Sequence, residues 1–354
     1  LYLAQGIADR KSTLPILANV LLRTDGKDKV ICAATDLNVT VVATLPAKVE
    51  KEGGITVSAR QIYEIAKGLG GDDVHLRRTD QNWAEIRAGR AEFKVVGMSD
   101  REYPKLPSAA EVDTKKVDPA VLRDMIGKTI FSVSSDETRQ HLAGVLFECD
   151  GQTGRMVSTD GHRLSKVERK PPGGPVLEAG VLIPRKGVLE IRRVIENREQ
   201  PCELGVKDGH ITLKADEIAL SAKLSDSQFP PYEQVIPKDN DRKVFVPRDA
   251  MLEALRRVSI MASDKTSGIK VGLDKGKLSV EADSPELGNA RERLEVEYKG
   301  TPFQAGFNAK YFIDLLQEMT SPEIVLELAG ELDPAVIRPS ESADYLGVIM
   351  PMRL

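Results

Sequence analysis

One pattern, written three times, constrains this chain more than any other feature. A short apolar strand leads into a helical stretch at Ile55 to Ser58 and then Ala59 to Lys67. The same happens at Val181 to Pro184 followed by Arg185 to Ile195, and at Phe303 to Asn308 followed by Ala309 to Leu316. The copies lie roughly 120 residues apart, far longer than a solenoid repeat, so a whole domain has been duplicated. A chain of 354 residues has room for three such domains.

Each of these helices carries its own start signal and one apolar face. Ser58 with Gln61 forms a capping box, Pro184 suits a first helical turn, and Asn308 is a good N-cap. Apolar residues recur at helical spacing: Ile62, Ile65, Ala66 and Leu69; Val188, Ile191 and Ile195; Phe312, Leu315, Leu316 and Met319. A second helix class opens the domains. Asp118-Pro119 precedes Val121, Leu122, Met125 and Ile126, and Pro247 precedes Leu252, Leu255 and Val258. The matching first helix is Leu1 to Ala8. It reads as entered partway, which leads us to expect a missing N-terminal strand.

A β-meander follows each opening helix. The expected strands are Ile16 to Leu22, Val30 to Ala34 and Val39 to Leu45; Ala143 to Glu148, Arg155 to Ser158 and Arg163 to Val167; Ile269 to Leu273, Lys277 to Ala282 and Arg291 to Val296. Asp25-Gly26, Asp150-Gly151 and Lys275-Gly276 supply the turns. Further strands close the units over Trp83 to Val96, Ile211 to Leu224 and Ala335 to Met350. One-faced helices with alternating strands predict an α+β class, with helices packed on antiparallel sheets. Linkers rich in Pro, Asp and Lys, at Leu106 to Val117 and Pro237 to Lys243, put the domains at 1–115, 116–240 and 241–354.

Composition then narrows function. Acidic residues number 54 against 50 basic ones, a net charge of −4, so bulk electrostatic attraction to nucleic acid is excluded and any such role needs a local basic surface or a topological hold. Cys32, Cys149 and Cys202 form no pairwise motif, which argues against a disulfide framework or a zinc site and for a reducing cytoplasm. No apolar run reaches the ~20 residues of a membrane span. The loop Gly272 to Ser279 resembles a phosphate-binding loop, but it is one residue short and sits in an expected hairpin. Ser158, Asp160 and His162 lie close together, yet there is no nucleophile elbow and alternate strand residues face opposite ways, so a turn at Asp160-Gly161 is the simpler reading. We expect no enzyme, no metal and no cofactor.

Two segments carry a resemblance: Thr159-Asp160-Gly161-His162-Arg163-Leu164 and the end of the chain, Val348-Ile349-Met350-Pro351-Met352-Arg353-Leu354. Supporting segments are Thr13 to Leu17, Ile183 to Gly187 and Phe229-Pro230-Pro231-Tyr232, in order along nearly the whole chain. Together with the threefold repeat they resemble the bacterial β sliding clamp family, the processivity subunit of the replicative polymerase. The resemblance implies a DNA-clamp fold of three similar domains, dimerising head to tail into a six-domain ring around double-stranded DNA. Held by topology, such a ring needs only weak, sequence-independent phosphate contacts, which accounts for the acidic net charge. It implies partners that dock short motifs (replicative polymerase, clamp loader, repair proteins), no membrane, and a cytoplasmic, nucleoid-associated location. The alternative is a monomeric peptide-binding adaptor with the same fold and no ring.

By the same resemblance, a peptide pocket is expected from Leu142, Thr159, Gly161, His162, Arg163, Leu164, Pro230, Val235, Val348, Met350, Pro351, Met352, Arg353 and Leu354. The apolar character fits: a Met-Pro-Met-x-Leu ending is too apolar for an idle tail, and Met adapts to varied side chains. The chain departs from relatives at Glu233-Gln234, where some carry basic residues, and at His141. Candidates to face DNA are Lys11, Arg60, Lys67, Arg123, Lys128, Lys186, Arg193, Arg256, Arg257 and Lys310. Phe93 and Val95 on one side, and Ile260 and Met261 on the other, are expected at the dimer interface, with Arg291 and Arg293 nearby.

Overall fold

The computed structural model describes every residue except 71–72, 109–110, 137, 171–174 and 264–265. Ala109 and Ala110, inside the expected first linker, therefore lie outside the described residues. Six helices are present among the described residues: α1 (Tyr2–Ile7), α2 (Ala59–Gly68), α3 (Pro119–Ile130), α4 (Arg185–Ile195), α5 (Arg248–Ser259) and α6 (Ala309–Gln317). Their starts follow the chemistry of the residues that precede them. Asn308 Oδ1 accepts the Lys310 amide at 2.9 Å and Asp118 Oδ1 the Ala120 amide at 2.7 Å. Ser58 Oγ accepts the Gln61 amide more loosely, at 3.5 Å. Pro184 is a correction: it ends the strand Val181–Pro184 rather than occupying the first helical turn.

All named strand pairs are antiparallel, and they fall into two compact units. The first is built mainly from Leu1–Arg123 and Lys186–Leu224. It holds one sheet of 11 strands in the order His75–Arg78, Trp83–Ala88, Ala91–Met98, Gly54–Ser58, Asn19–Asp25, Lys29–Thr35, Val39–Pro46, Ile218–Lys223, His210–Ala215, Cys202–Lys207, Lys115–Val117. The second is built from Asp124–Lys170, Leu177–Arg185 and Ser225–Leu354. One of its sheets has 8 strands, ordered Val181–Pro184, Gly144–Cys149, Gly154–Thr159, Arg163–Arg169, Tyr345–Ile349, Ala335–Pro339, Glu323–Leu328, Arg242–Pro247. The other has 4, ordered Gly288–Glu295, Lys277–Ser284, Gly268–Asp274, Phe303–Asn308.

The compact units differ from contiguous stretches of chain because sheets run across the repeats. The third meander strand of the first repeat, Val39–Pro46, pairs with the last strand of the second, Ile218–Lys223. The third meander strand of the second repeat, Arg163–Arg169, pairs with the last strand of the third, Tyr345–Ile349. The equivalent elements left over are Gly288–Glu295, an outer strand of its sheet, and Ala91–Met98. The latter pairs along one side with Trp83–Ala88, but on the other meets Gly54–Ser58 only at Gly97 and Met98.

Smaller differences from the sequence reading have local causes. Ile16 and Leu17 lie in a 3-10 turn, Pro15–Ala18, and the strand begins only at Asn19, because Pro15 at the first position of that turn has no amide for a ladder. Trp83 to Val96, by contrast, is the expected strand pair, a hairpin turning at Gly89, whose φ of +56° few side chains accept. The loop Gly272 to Ser279 is the expected hairpin, with Asp274 opposite Lys277. Ala66 is exposed although its spacing marks it as apolar-facing. The three cysteines are buried and free, and burial raises each thiol pKa. Among the described residues no helix is long and apolar enough to cross a membrane.

Candidate functional site

The second compact unit brings the two motif segments together, and the register explains how. Arg163 lies opposite Ile349 and Leu164 opposite Val348, so the Thr159 to Leu164 hairpin and the last strand are sheet neighbours. The ladder runs one bond beyond the strand, from the Met350 amide to the His162 carbonyl at 2.8 Å. Met350, Pro351 and Met352 are half-buried; Arg353 and Leu354 are exposed. The Met352 amide donates to the Gly306 carbonyl at 2.9 Å, which carries the tail onto the edge strand of the four-stranded sheet.

The turn between the strands is over-determined. Asp160 Oδ1 accepts the His162 and Arg163 amides at 2.9 and 3.0 Å. Thr159 Oγ1 donates to the Arg163 carbonyl at 2.6 Å and accepts the Gly161 amide at 3.0 Å. Gly161 sits at φ +90°, and a methyl group there would lie 2.8 Å from the Arg139 guanidinium. Arg139 in turn donates to the Asp160 carbonyl at 2.9 Å.

Arg163 is a tie rather than a free cation. Its side chain is only 10% exposed. Its guanidinium donates to Asp160 at 3.0 Å, to Asp314 of α6 at 2.6 Å and to the Phe131 carbonyl at 2.5 Å. It also stacks over the Tyr311 ring at 4.6 Å. With both carboxylates taken, it positions the hairpin against α6.

Below the motif segments lies an apolar floor. Leu164 and Val348 belong to one cluster with Leu146, Val157, Leu182, Phe229, Tyr232, Val336 and Leu346, and Ile236 packs against it. The segment carrying Phe229 and Tyr232 is anchored by the Tyr232 hydroxyl, which donates to Glu148 at 3.0 Å. Burial first, and then this bond to Glu148, pushes the Tyr232 pKa up to about 12. Pro230 and Val235 flank the anchored rings, and Val235 is 45% exposed. Glu233 and Gln234 are exposed in the 3-10 turn Tyr232–Gln234. Leu142 is buried at the end of the turn Gln140–Leu142, two residues before the strand Gly144–Cys149, and His141 is exposed there. Sequence reading took Asp160 as part of a turn with Gly161 and missed Arg139, Asp314 and Tyr232 as supports. Asp160 was legible as an Asx turn; Asp314 was not, because it is 151 residues from Arg163.

The arrangement offers no hydrolytic chemistry. Ser158 is fully buried and bonded to the Thr129 carbonyl and to Ser132 Oγ, both at 2.5 Å. The Asp160 carboxylate holds backbone amides rather than the His162 ring. What remains is an apolar floor, half-exposed methionines and a stiff proline, a surface able to take apolar side chains of a short peptide.

The candidate basic residues divide sharply. Lys11, Arg60, Lys67 and Lys310 are exposed and, among the described residues, in no ion pair; Lys11 lies on the turn after α1, not on a helix. Lys128 is a correction: it is 6% exposed, bonded to Asp124 at 2.6 Å and stacked on Tyr345, so helix spacing misjudged its face. Arg123 is a second: it donates to the Ile195 and Glu196 carbonyls at 2.6 and 3.0 Å, closing the end of α4. Lys186 pairs with Asp36, and Arg193 pairs with Glu190 at 2.8 Å beside the Tyr2 ring. Arg256 contacts Glu253 at 3.3 Å, and Arg257 grips Glu292 at 2.6 Å. Of the expected interface residues, Phe93 is 38% and Ile260 71% exposed, with Val95 and Met261 half-buried.

Fold and site together define a class: a scaffold of three similar α+β domains whose chain end lies beside the Thr159 to Leu164 hairpin. The comparisons give the family. The chain matches the N-terminal, central and C-terminal domains of the DNA polymerase III beta subunit over residues 1–107, 116–231 and 233–353. It is 34% identical to the beta sliding clamp of Pseudomonas putida, covering 100% of this chain and 96% of that one. It is 30% identical to that of Escherichia coli K12, covering 97% and 94%. Among solved structures, the DNA polymerase III beta subunit of Pseudomonas aeruginosa superposes with a TM-score of 0.94 at 31% identity, covering 100% of this chain and 96% of that one. A sliding clamp from that organism bound to griselimycin scores 0.92 at 31% identity, with the same coverage. The chain belongs to the DNA polymerase III beta subunit family, the β sliding clamps.

Proposed function

We propose that two copies of this chain close into a ring that encircles double-stranded DNA, slides without sequence preference, and tethers the replicative polymerase. The observation that carries the reading is the sheet joint made twice and left open once. A third meander strand pairs with a last strand at Val39–Pro46 with Ile218–Lys223, and again at Arg163–Arg169 with Tyr345–Ile349. The same rule would join Gly288–Glu295 of one copy to Ala91–Met98 of the other, and twofold repetition of that joint is a closed assembly. Phe93 and Val95 lie on one of these strands. Ile260 and Met261 follow α5, which is tied to the other through Arg257 and Glu292. The sequence reading had centred that side on Ile260 and Met261; the free strand beside them is the better candidate for the joint.

In this reading the domains are 1–115, 116–240 and 241–354, and the protein is a cytoplasmic, nucleoid-associated scaffold without catalysis. Lys11, Arg60, Lys67 and Lys310, with no carboxylate partner among the described residues, are the best placed of the named cations for weak phosphate contact. The groove of Leu142, Thr159 to Leu164, Pro230, Val235 and Val348 to Leu354 takes motif peptides of polymerase, loader and repair proteins. The test is sedimentation equilibrium. The wild type is expected at twice the mass of one 354-residue chain, and Phe93→Glu with Val95→Glu is expected to shift it toward the monomer. A monomer at every concentration would sink the ring and leave the monomeric adaptor.

A further inference from the structure

We infer that Gly306 and Gly268 are positioning residues for the peptide groove: the space left by their missing side chains seats Met352 and Leu354. The inference deepens the groove reading just proposed and rests on it. Phe303–Asn308 is the edge strand of the four-stranded sheet. Gly306 lies opposite Lys270 and Asn308 opposite Gly268, so the two glycines sit diagonally on one face. Ile269, Val271, Ala305 and Phe307 are buried on the other face. The glycine face therefore looks outward, and it is the face the tail crosses.

The fit is close at both positions. A methyl group at Gly306 would overlap the Met352 carbonyl oxygen and lie 2.8 Å from Leu354 Cγ; one at Gly268 would overlap Leu354 Cδ2. Neither glycine has a positive φ, so the backbone itself accepts alanine and only the tail objects. The Met352 amide bond to the Gly306 carbonyl, 2.9 Å, completes the seat.

The other repeats show what the crossing is. At the end of the last strand of the first repeat, Gly97 and Met98 pair with Val57 and Thr56. After that of the second, Ser225 bridges Leu182. In the third, the crossing segment is Met350 to Leu354, and its Pro351 and Met352 stay half-exposed. A seated tail presents a groove wall that is already ordered, and ordering it would otherwise weaken binding.

The test combines amide exchange with fluorescence polarisation of a labelled Gln-Leu-x-Leu-Phe-type peptide. Gly306→Ala is expected to expose the Met352 amide while Met350, bonded to His162, stays protected as the internal reference. Peptide Kd should rise about tenfold, the effect of losing roughly one hydrogen bond with its ordered segment. In a chain truncated after Met350 the same substitution should change affinity by less than about twofold. Gly268→Ala, whose methyl meets chiefly the flexible Leu354 side chain, repeats the test should Gly306→Ala fold poorly. An unchanged Kd with an exposed Met352 amide overturns the inference, as does an equal loss in the truncated chain, which would place the effect in the sheet. A wild type that binds no peptide overturns the groove reading itself, and the inference with it.

Discussion

Two turns of this molecule are built alike and do different things. Thr35-Asp36-Leu37-Asn38 in the first repeat and Thr159-Asp160-Gly161-His162 in the second share nearly every bond. In each, the threonine hydroxyl donates to the carbonyl four residues on and accepts the amide two residues on. In each, the aspartate accepts the next two amides after the positive-φ residue, which is Leu37 at +75° or Gly161 at +90°. In each, the fourth residue's carbonyl accepts an amide from a neighbouring strand's end, Lys223 at 2.7 Å or Met350 at 2.8 Å. The turn is thus a device of the fold, repeated wherever a third meander strand meets a last strand.

The differences lie in what surrounds it. Asp36 is tied to Lys186 of α4, a lysine's ammonium reaching a turn carboxylate. In the second repeat the polarity is reversed: Arg163 holds Asp160 and reaches Asp314 of α6. Lys310, the counterpart of Lys186 at the start of its helix, is left exposed and without an ion pair among the described residues. After Met350 the chain runs along the edge strand Phe303–Asn308, as Ser225 does along Val181–Pro184, but its Pro351 and Met352 stay half-exposed. One substitution of partners thus leaves Lys310 without an ion pair among the described residues and holds the Thr159 to Leu164 turn against α6.

Breaking the ties separates the two regions most strongly. Arg163→Ala leaves Asp314 and Asp160 without their shared partner in a half-buried setting, and should cost about 3 kcal/mol by denaturant unfolding. Lys186→Ala breaks a pair whose lysine is 46% exposed, and should cost under about 1 kcal/mol. Equal costs would mean that the two ties are equivalent after all. The positive-φ position comes next. Gly161→Val should cost about 2–3 kcal/mol, from φ strain and the encroached Arg139. Leu37→Gly should stay within about 1 kcal/mol of wild type, since relief of strain is offset by the freer unfolded chain. Thermal midpoints decide both.

The smallest effect is on alkaline stability. Tyr103, whose hydroxyl accepts the Thr35 amide at 3.2 Å, is pushed up to about 12 by burial, as Tyr232 is beside the groove. An unfolded tyrosine ionises near ~10. Between those values the folded state holds more protons than the unfolded one, so stability is full below about pH 10 and falls as pH rises toward 12. The expected loss is roughly 1–2 kcal/mol for the pair, discounted because the Glu148 carboxylate beside the Tyr232 hydroxyl is itself partly exposed. Tyr103→Phe should flatten the slope without changing peptide affinity, measured by unfolding across that range; a slope unchanged by both Tyr→Phe substitutions would assign it elsewhere.

What the sequence determined by itself was local and periodic. The three strand-to-helix copies, the caps at Ser58, Asp118 and Asn308, the Asp-Gly turns and the alternating strands were all legible, because each is set by neighbours within a few residues. The apolar chain end was legible as chemistry out of place on a surface, and the motif at Thr159 to Leu164 as a turn. Only tertiary structure decided which face of α3 Lys128 occupies, that Arg123 closes α4, and that Arg163 is held by Asp314. It alone decided that Met352 and Leu354 rest on Gly306 and Gly268, on two paired strands. Those outcomes depend on pairings between residues dozens to hundreds of positions apart. No local propensity encodes such pairings; packing and register do.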